Sequence, residues 1–179
     1  MATIALINSS VQTKNYTGFT LQIVKQELLK KEHNVVEIDL KEFNLPFPGE
    51  KIENDNSAEL RKLLKSAEAF IVGSPEYNGS FTAKLKLMIE NSGYPSMMKG
   101  KPVGLVGIAS GVLGATKSLE QLRTVFSHIG SIVLPRVVSI AEIEKKFDDD
   151  GNCIDQNTES EIKLAGKNLS KFLSLIKTQ

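Results

Sequence analysis

Ala69-Phe70-Ile71-Val72-Gly73-Ser74-Pro75-Glu76-Tyr77-Asn78-Gly79-Ser80 decides the fold class of this chain. Its first five residues are apolar or glycine with no polar residue between them, which suits a strand covered on both faces. Pro75 stops the strand from continuing. The run from Phe81 to Asn91 then takes up a helical period, with Leu85, Met88 and Ile89 on one face. A doubly buried strand, a polar loop and a helix form the repeating unit of a parallel α/β sheet.

The same unit recurs in both directions along the chain. Thr3-Ile4-Ala5-Leu6-Ile7 is apolar, ends in Asn8-Ser9-Ser10, and leads to a helix from Thr17 to Lys31 with Phe19, Ile23, Val24, Leu28 and Leu29 on its stripe. Asn34 to Leu40 reads as a strand, and Ser57 as the N-cap of a helix through Leu60, Leu63 and Leu64. Pro102 to Ile108 is the fourth strand, and Ala115 to Ile129 the fourth helix. Ser131 to Ile140 holds a fifth strand region interrupted by Pro135, and Ser160 to Ile176 a last amphipathic helix. Strands alternating with helices predict one three-layer α/β domain over residues 1–179, a doubly wound five-stranded parallel sheet in the order 2-1-3-4-5.

Composition narrows the function. Lys plus Arg number 22 against 21 Asp plus Glu, a net charge of +1, so neither a general nucleic-acid binder nor a polybasic membrane binder is expected. No apolar run approaches the roughly 18 residues of a membrane span, and Met1 to Ile7 lacks the features of a signal peptide. The single cysteine, Cys153, cannot form an internal disulfide, which fits a reducing cytoplasm. His33 and His128 are too far apart in sequence to suggest a metal site and have no catalytic motif around them; His33 is expected to close the first helix.

In an open α/β sheet, ligands bind beyond the carboxyl ends of the strands. Three loops meet that edge. Asn8 to Thr17 carries hydroxyls and amides into a helix N-terminus, where backbone N–H groups and the helix dipole favour a phosphate. Ser9, Ser10, Asn15 and Thr17 can donate to it, and Lys14 can add charge. Ser74 to Ser80 combines Pro75, Glu76, Tyr77, Asn78 and Gly79, a stiff path whose backbone can read the edge of a planar heterocycle and whose tyrosine can wall it. Ala109 to Ala115 contains Ser110, Gly111 and Gly114, where glycine lets backbone come close to a ligand. Eight of the 13 glycines fall between Gly73 and Gly114, which makes this the part of the chain to explain.

These loops resemble those of the NAD(P)H-dependent FMN reductases of flavodoxin-like fold, the azoreductase, quinone reductase and chromate reductase type. Ser74 to Ser80 is similar to that family's most diagnostic segment almost throughout, Leu85-Lys86 follows as in the family, and Ser110 to Ala115 with Gln121-Leu122-Arg123 continues the likeness. The resemblance implies FMN, with its phosphate held by Ser9, Asn15, Tyr16 and Thr17. Its ring would be flanked by Pro75, Glu76, Tyr77 and Asn78 on one side and Ser110, Gly111 and Gly114 on the other. It implies NADPH or NADH as electron donor, a quinone, azo compound or flavin as small-molecule acceptor, and a homodimer or homotetramer. Tyr94, Met97 and Met98 are expected beside the active edge, either joining a homodimer interface as the resemblance implies or tucked against the core as loop residues. The chain departs from the family at Asn8, where glycine is usual, and lacks the arginine of the first loop, for which Lys14 is a partial substitute. Leu87 to Asn91 also departs from it. Because the cofactor carries the chemistry, no acid–base residue is assigned. The rival readings are a non-catalytic flavodoxin-like electron carrier or flavin sensor, and a module that binds no FMN.

Overall fold

The computed structural model describes residues 1–177. Its elements are β1 (Thr3–Asn8), α1 (Tyr16–Leu29), β2 (Asn34–Asp39), α2 (Ser57–Ser66), β3 (Ala69–Pro75), α3 (Ala83–Glu90), β4 (Pro102–Ile108), α4 (Thr116–His128), β5 (Ile132–Val133), β6 (Val138–Ile140) and α5 (Gln156–Lys177). The sheet is parallel throughout, in the order β2-β1-β3-β4-β5, with β6 also paired to β4. This is the expected doubly wound, flavodoxin-like topology.

Alternation along each central strand builds the three layers. Ala5 and Ile7 of β1, Phe70 and Val72 of β3, and Val103 and Leu105 of β4 share one core with α2, α3 and α4. Ile4 and Leu6, Ala69 and Ile71, and Val106 and Ile108 share the other with α1 and α5. Both faces are covered, which explains the unbroken apolar runs of β1, β3 and β4.

Several sequence expectations are corrected in detail. The fifth strand is two pieces: Ile132 and Val133 pair with Pro102 and Val103, and Val138 to Ile140 with Val106 to Ile108. Pro135 has no N–H for a ladder, and Arg123 fills the break by donating to the carbonyls of Leu134 and Pro135. Ser57 is the first residue of α2, with Asn56 at the cap position and Asp55 accepting from the Ser57 N–H at 2.7 Å. His33 lies beyond the end of α1 and bonds Ser170 Oγ of α5 at 3.1 Å. Tyr94 is fully exposed, but it follows α3, which runs away from the carboxyl edge, so it sits at the opposite end of the sheet. Met98 is fully buried in the core under α3 and α4. No helix among the described residues is long and apolar enough to cross a membrane.

Candidate functional site

Each loop is tied to the neighbouring strand as it leaves the sheet. The Ser9 N–H donates to Gly73 O at 3.1 Å, Glu76 N–H to Ile108 O at 2.8 Å, and Ala109 N–H to Ile140 O at 2.9 Å. The loops therefore start from one level and converge. They enclose a pocket of about 780 Å3 lined by Ser10, Gln12, Lys14 and Tyr16, by Pro75 to Gly79, and by Ile108 to Gly114. That volume is in the range of small-molecule sites. Of the residues singled out in the sequence, Ser10, Lys14, Tyr16, Pro75, Glu76, Tyr77, Asn78, Gly79, Ser110, Gly111 and Gly114 line it.

The first loop is shaped by its own amides. Asn8 Oδ1 accepts from the Ser10 N–H at 3.1 Å, a tight turn that asparagine makes with its own side chain. Asn15 caps α1, its Oδ1 accepting from the Gly18 N–H at 2.8 Å while its Nδ2 donates to Ser10 O at 3.4 Å. Asn15 thus serves the frame of the loop and does not line the pocket. Ser9 and Thr17 are buried below it, and their hydroxyls find no hydrogen-bond partner among the described residues. Lys14 departs from expectation: its amine bonds Asp149 at 2.8 Å and lies 5.4 Å from the centre of the Tyr16 ring. The Asp149 carboxylate holds its pKa above the usual lysine value.

The second loop closes as a two-residue turn. Tyr77 and Ser80 exchange backbone hydrogen bonds at 2.8 and 3.0 Å, with Asn78 and Gly79 at φ of 51° and 74°. Positive φ at both central residues is what an Asn-Gly pair favours. Glu76 points across to α4, its Oε2 accepting from the Ser118 N–H at 2.9 Å. A carboxylate in the first turn of a helix suits its dipole. The third loop presents Gly111, where an added Cβ would meet nothing within 4 Å. Gly114 differs: with φ of 66° and the Ser139 hydroxyl 2.5 Å from where its Cβ would stand, it serves the turn.

A fourth segment was not read in the sequence. Ile143 and Glu144 complete the pocket wall. Ile143 N–H donates to Ala109 O at 3.1 Å, and Ser110 Oγ donates to Glu144 Oε1 at 2.9 Å. The apolar Ile143 after the last strand was its only sequence signal.

The pocket suits FMN in two ways. At the first-loop end, Ser10 and Tyr16 line the wall beside the α1 N-terminus, and the Ser9 and Thr17 hydroxyls, unpartnered among the described residues, lie buried beneath it. At the other end, Pro75 and Tyr77 line the pocket together with Gly111, where an added Cβ would meet nothing within 4 Å, so the backbone there leaves room for a flat ring.

Comparison with known proteins agrees with this geometry. The NADH-dependent flavin reductase subunit 2 of Lactobacillus johnsonii is 27% identical over 163 residues, covering 85% of this chain and 89% of its own. The FMN-dependent NADPH-azoreductase of Staphylococcus saprophyticus is 26% identical over 166 residues, covering 88% and 87%. Among solved structures, the flavoenzyme NAD(P)H:(acceptor) oxidoreductase FerB of Paracoccus denitrificans superposes with a TM-score of 0.77 at 20% identity, covering 97% of this chain and 98% of its own. The family model of the NADPH-dependent FMN reductases matches residues 2–145, and the chain belongs to that family.

Proposed function

We propose that this chain is an FMN-containing oxidoreductase that takes electrons from NADPH or NADH and delivers them to a quinone, an azo compound or a free flavin. Membership of the family makes it a flavoenzyme that depends on FMN and a reduced nicotinamide nucleotide. The observation that carries the reading further is the convergence of three loops on one pocket, with the Ser9 and Thr17 hydroxyls, which find no hydrogen-bond partner among the described residues, buried beneath its first-loop end. Ser9, Ser10, Tyr16 and Thr17, with the α1 N-terminus framed by Asn15, would hold the phosphate. Lys14 would add charge only by sharing its amine with Asp149. Pro75 to Gly79 with Ser110 and Gly111 would hold the ring, and Gly114 would keep the turn of the third loop.

Bound FMN supplies the redox chemistry, receiving electrons from the nicotinamide and releasing them to the acceptor. The protein's own work is to hold the ring slot open, keep Tyr77 and Pro75 against it, and leave one side accessible. Tyr77, Val112 and Leu113 are exposed at the mouth and form an apolar rim suited to a flat, poorly soluble acceptor. A second copy of the chain is the partner proposed, in a homodimer or homotetramer.

The test is the visible spectrum of the purified protein after FMN titration, followed by NAD(P)H oxidation with quinone, azo and flavin acceptors. Flavin bands and FMN-dependent turnover are expected. A colourless protein that takes up no FMN overturns the reading, and bound FMN without turnover on any acceptor turns it into an electron carrier.

A further inference from the structure

We infer that Gln121, outside the pocket, is a positioning residue for the ring-facing loop; the inference rests on the FMN reading above. The turn at Tyr77 to Ser80 is an isolated pair of backbone hydrogen bonds, not the end of a longer ladder. Such a hairpin has little stability of its own. Something outside the turn must hold it in this course.

That support comes from α4. Gln121 Nε2 donates to Gly79 O at 2.9 Å, and Ser80 Oγ donates to Gln121 Oε1 at 2.6 Å. The amide orientation follows from the partners, since Gly79 O can only accept. At the root of the loop, Glu76 accepts from the Ser118 N–H. Ser118 and Gln121 are three residues apart, so the two anchors lie one above the other on one helix face. The loop is therefore fastened to α4 at both ends.

Gln121 itself is exposed. An exposed glutamine loses rotamer freedom when fixed, and this one fills no core. Both ends of its amide are spent on the loop. Without it, Tyr77 and Asn78 lose their fixed stance, and FMN must order the turn as it binds. Gln121→Ala is expected to raise the Kd for FMN about three- to tenfold, the worth of one to two hydrogen bonds.

The experiment uses the full chain and FMN as the probe. Gln121→Ala should keep its melting temperature within about two degrees, as exposed substitutions usually do. It should raise the FMN Kd, shift the visible spectrum and the circular dichroism of bound FMN, and speed amide hydrogen exchange at Ser80 in the flavin-free protein. Ser80→Ala should give a smaller rise in Kd, and the double variant should bind no more weakly than Gln121→Ala, because both changes remove the same bond. Wild-type Kd, spectrum and Ser80 exchange in Gln121→Ala overturn the inference. Additive effects of the two substitutions overturn the shared contact. If the wild-type protein takes up no FMN, the functional reading fails, while Ser80 exchange still decides whether Gln121 holds the turn.

Discussion

Thr17 and Thr20 lie one turn of α1 apart, and each buries a hydroxyl with no hydrogen-bond partner among the described residues. A buried hydroxyl without a partner costs free energy. Thr17 is at the pocket end of the helix and Thr20 is deeper, so the same substitution should separate function from stability. Thr17→Val should leave the flavin-free protein as stable or up to about 1 kcal/mol more so, yet weaken FMN binding roughly tenfold or more through loss of a donor to a charged group. Thr20→Val should show the same stability effect and no change in FMN affinity. Calorimetry of the two variants, each with an FMN titration, checks both; equal FMN affinities would remove Thr17 from the phosphate site. Gly111→Val belongs to the same scale. With nothing within 4 Å of the added Cβ, the fold should tolerate it, while the valine projects into the ring slot. FMN affinity should fall severalfold with an unchanged far-ultraviolet spectrum, and an unchanged affinity would misplace the third loop.

α3 shows how one cap links two loops. Thr82 Oγ1 accepts from the Leu85 N–H at 3.1 Å and donates to Ser9 O at 3.2 Å, while its N–H donates to Ser74 Oγ at 3.3 Å. Thr82→Ala should cost about 1 kcal/mol of stability, the usual worth of such a cap, and Thr82→Ser should restore most of it; a urea titration of both variants measures this. The cap was not legible, because Ser80 and Thr82 are both residue types suited to it, and the helix begins at Ala83, which puts Thr82 at the cap. The central strands were legible, since burial on both faces demands runs such as Phe70-Ile71-Val72. The split of the fifth strand was half legible: Pro135 marked the break, but the return of both pieces to β4, with Arg123 donating across the gap to the Leu134 and Pro135 carbonyls, is a matter of tertiary pairing that the sequence did not show. Tyr94, expected at the ligand edge, was not legible from its position in the chain alone. The eight residues of α3 carry the chain about 12 Å away from the edge instead.

The whole molecule is a sheet with one helical layer on each face and its ligand edge assembled from four distant segments. Three of these were legible because a strand-to-helix loop must lie at that edge. The fourth, Ile143 and Glu144, follows the short last strand and is placed by bonds to Ala109 and Ser110, by the Glu142 N–H donating to Gly111 O, and by burial of Ile143 in the core. The Lys14–Asp149 pair was equally hidden, its partners standing 135 positions apart. Charge across the fold also sets its response to acid. Glu37, Asp55, Glu142, Asp148 and Asp155 all have pKa values held below the ordinary carboxylate range by hydrogen bonds from lysines or from backbone and amide N–H groups. Asp155 is lowered furthest, from 3.8 to about 2, first by Lys146 at 2.8 Å and then by the Thr158 N–H at the start of α5. The unfolded chain therefore binds more protons than the folded one in this window, so acid favours unfolding. The stability contributed by Asp155 is fully present above about pH 4 and is lost as pH falls through about 2. Asp155→Asn keeps an acceptor for Thr158 but gives up the charge. Denaturant melts of both proteins should therefore show a stability gap at pH 6 that closes between about pH 4 and pH 2. A gap that stays constant over that range would mean that Asp155 takes no part in the acid response and that the remaining carboxylates set it.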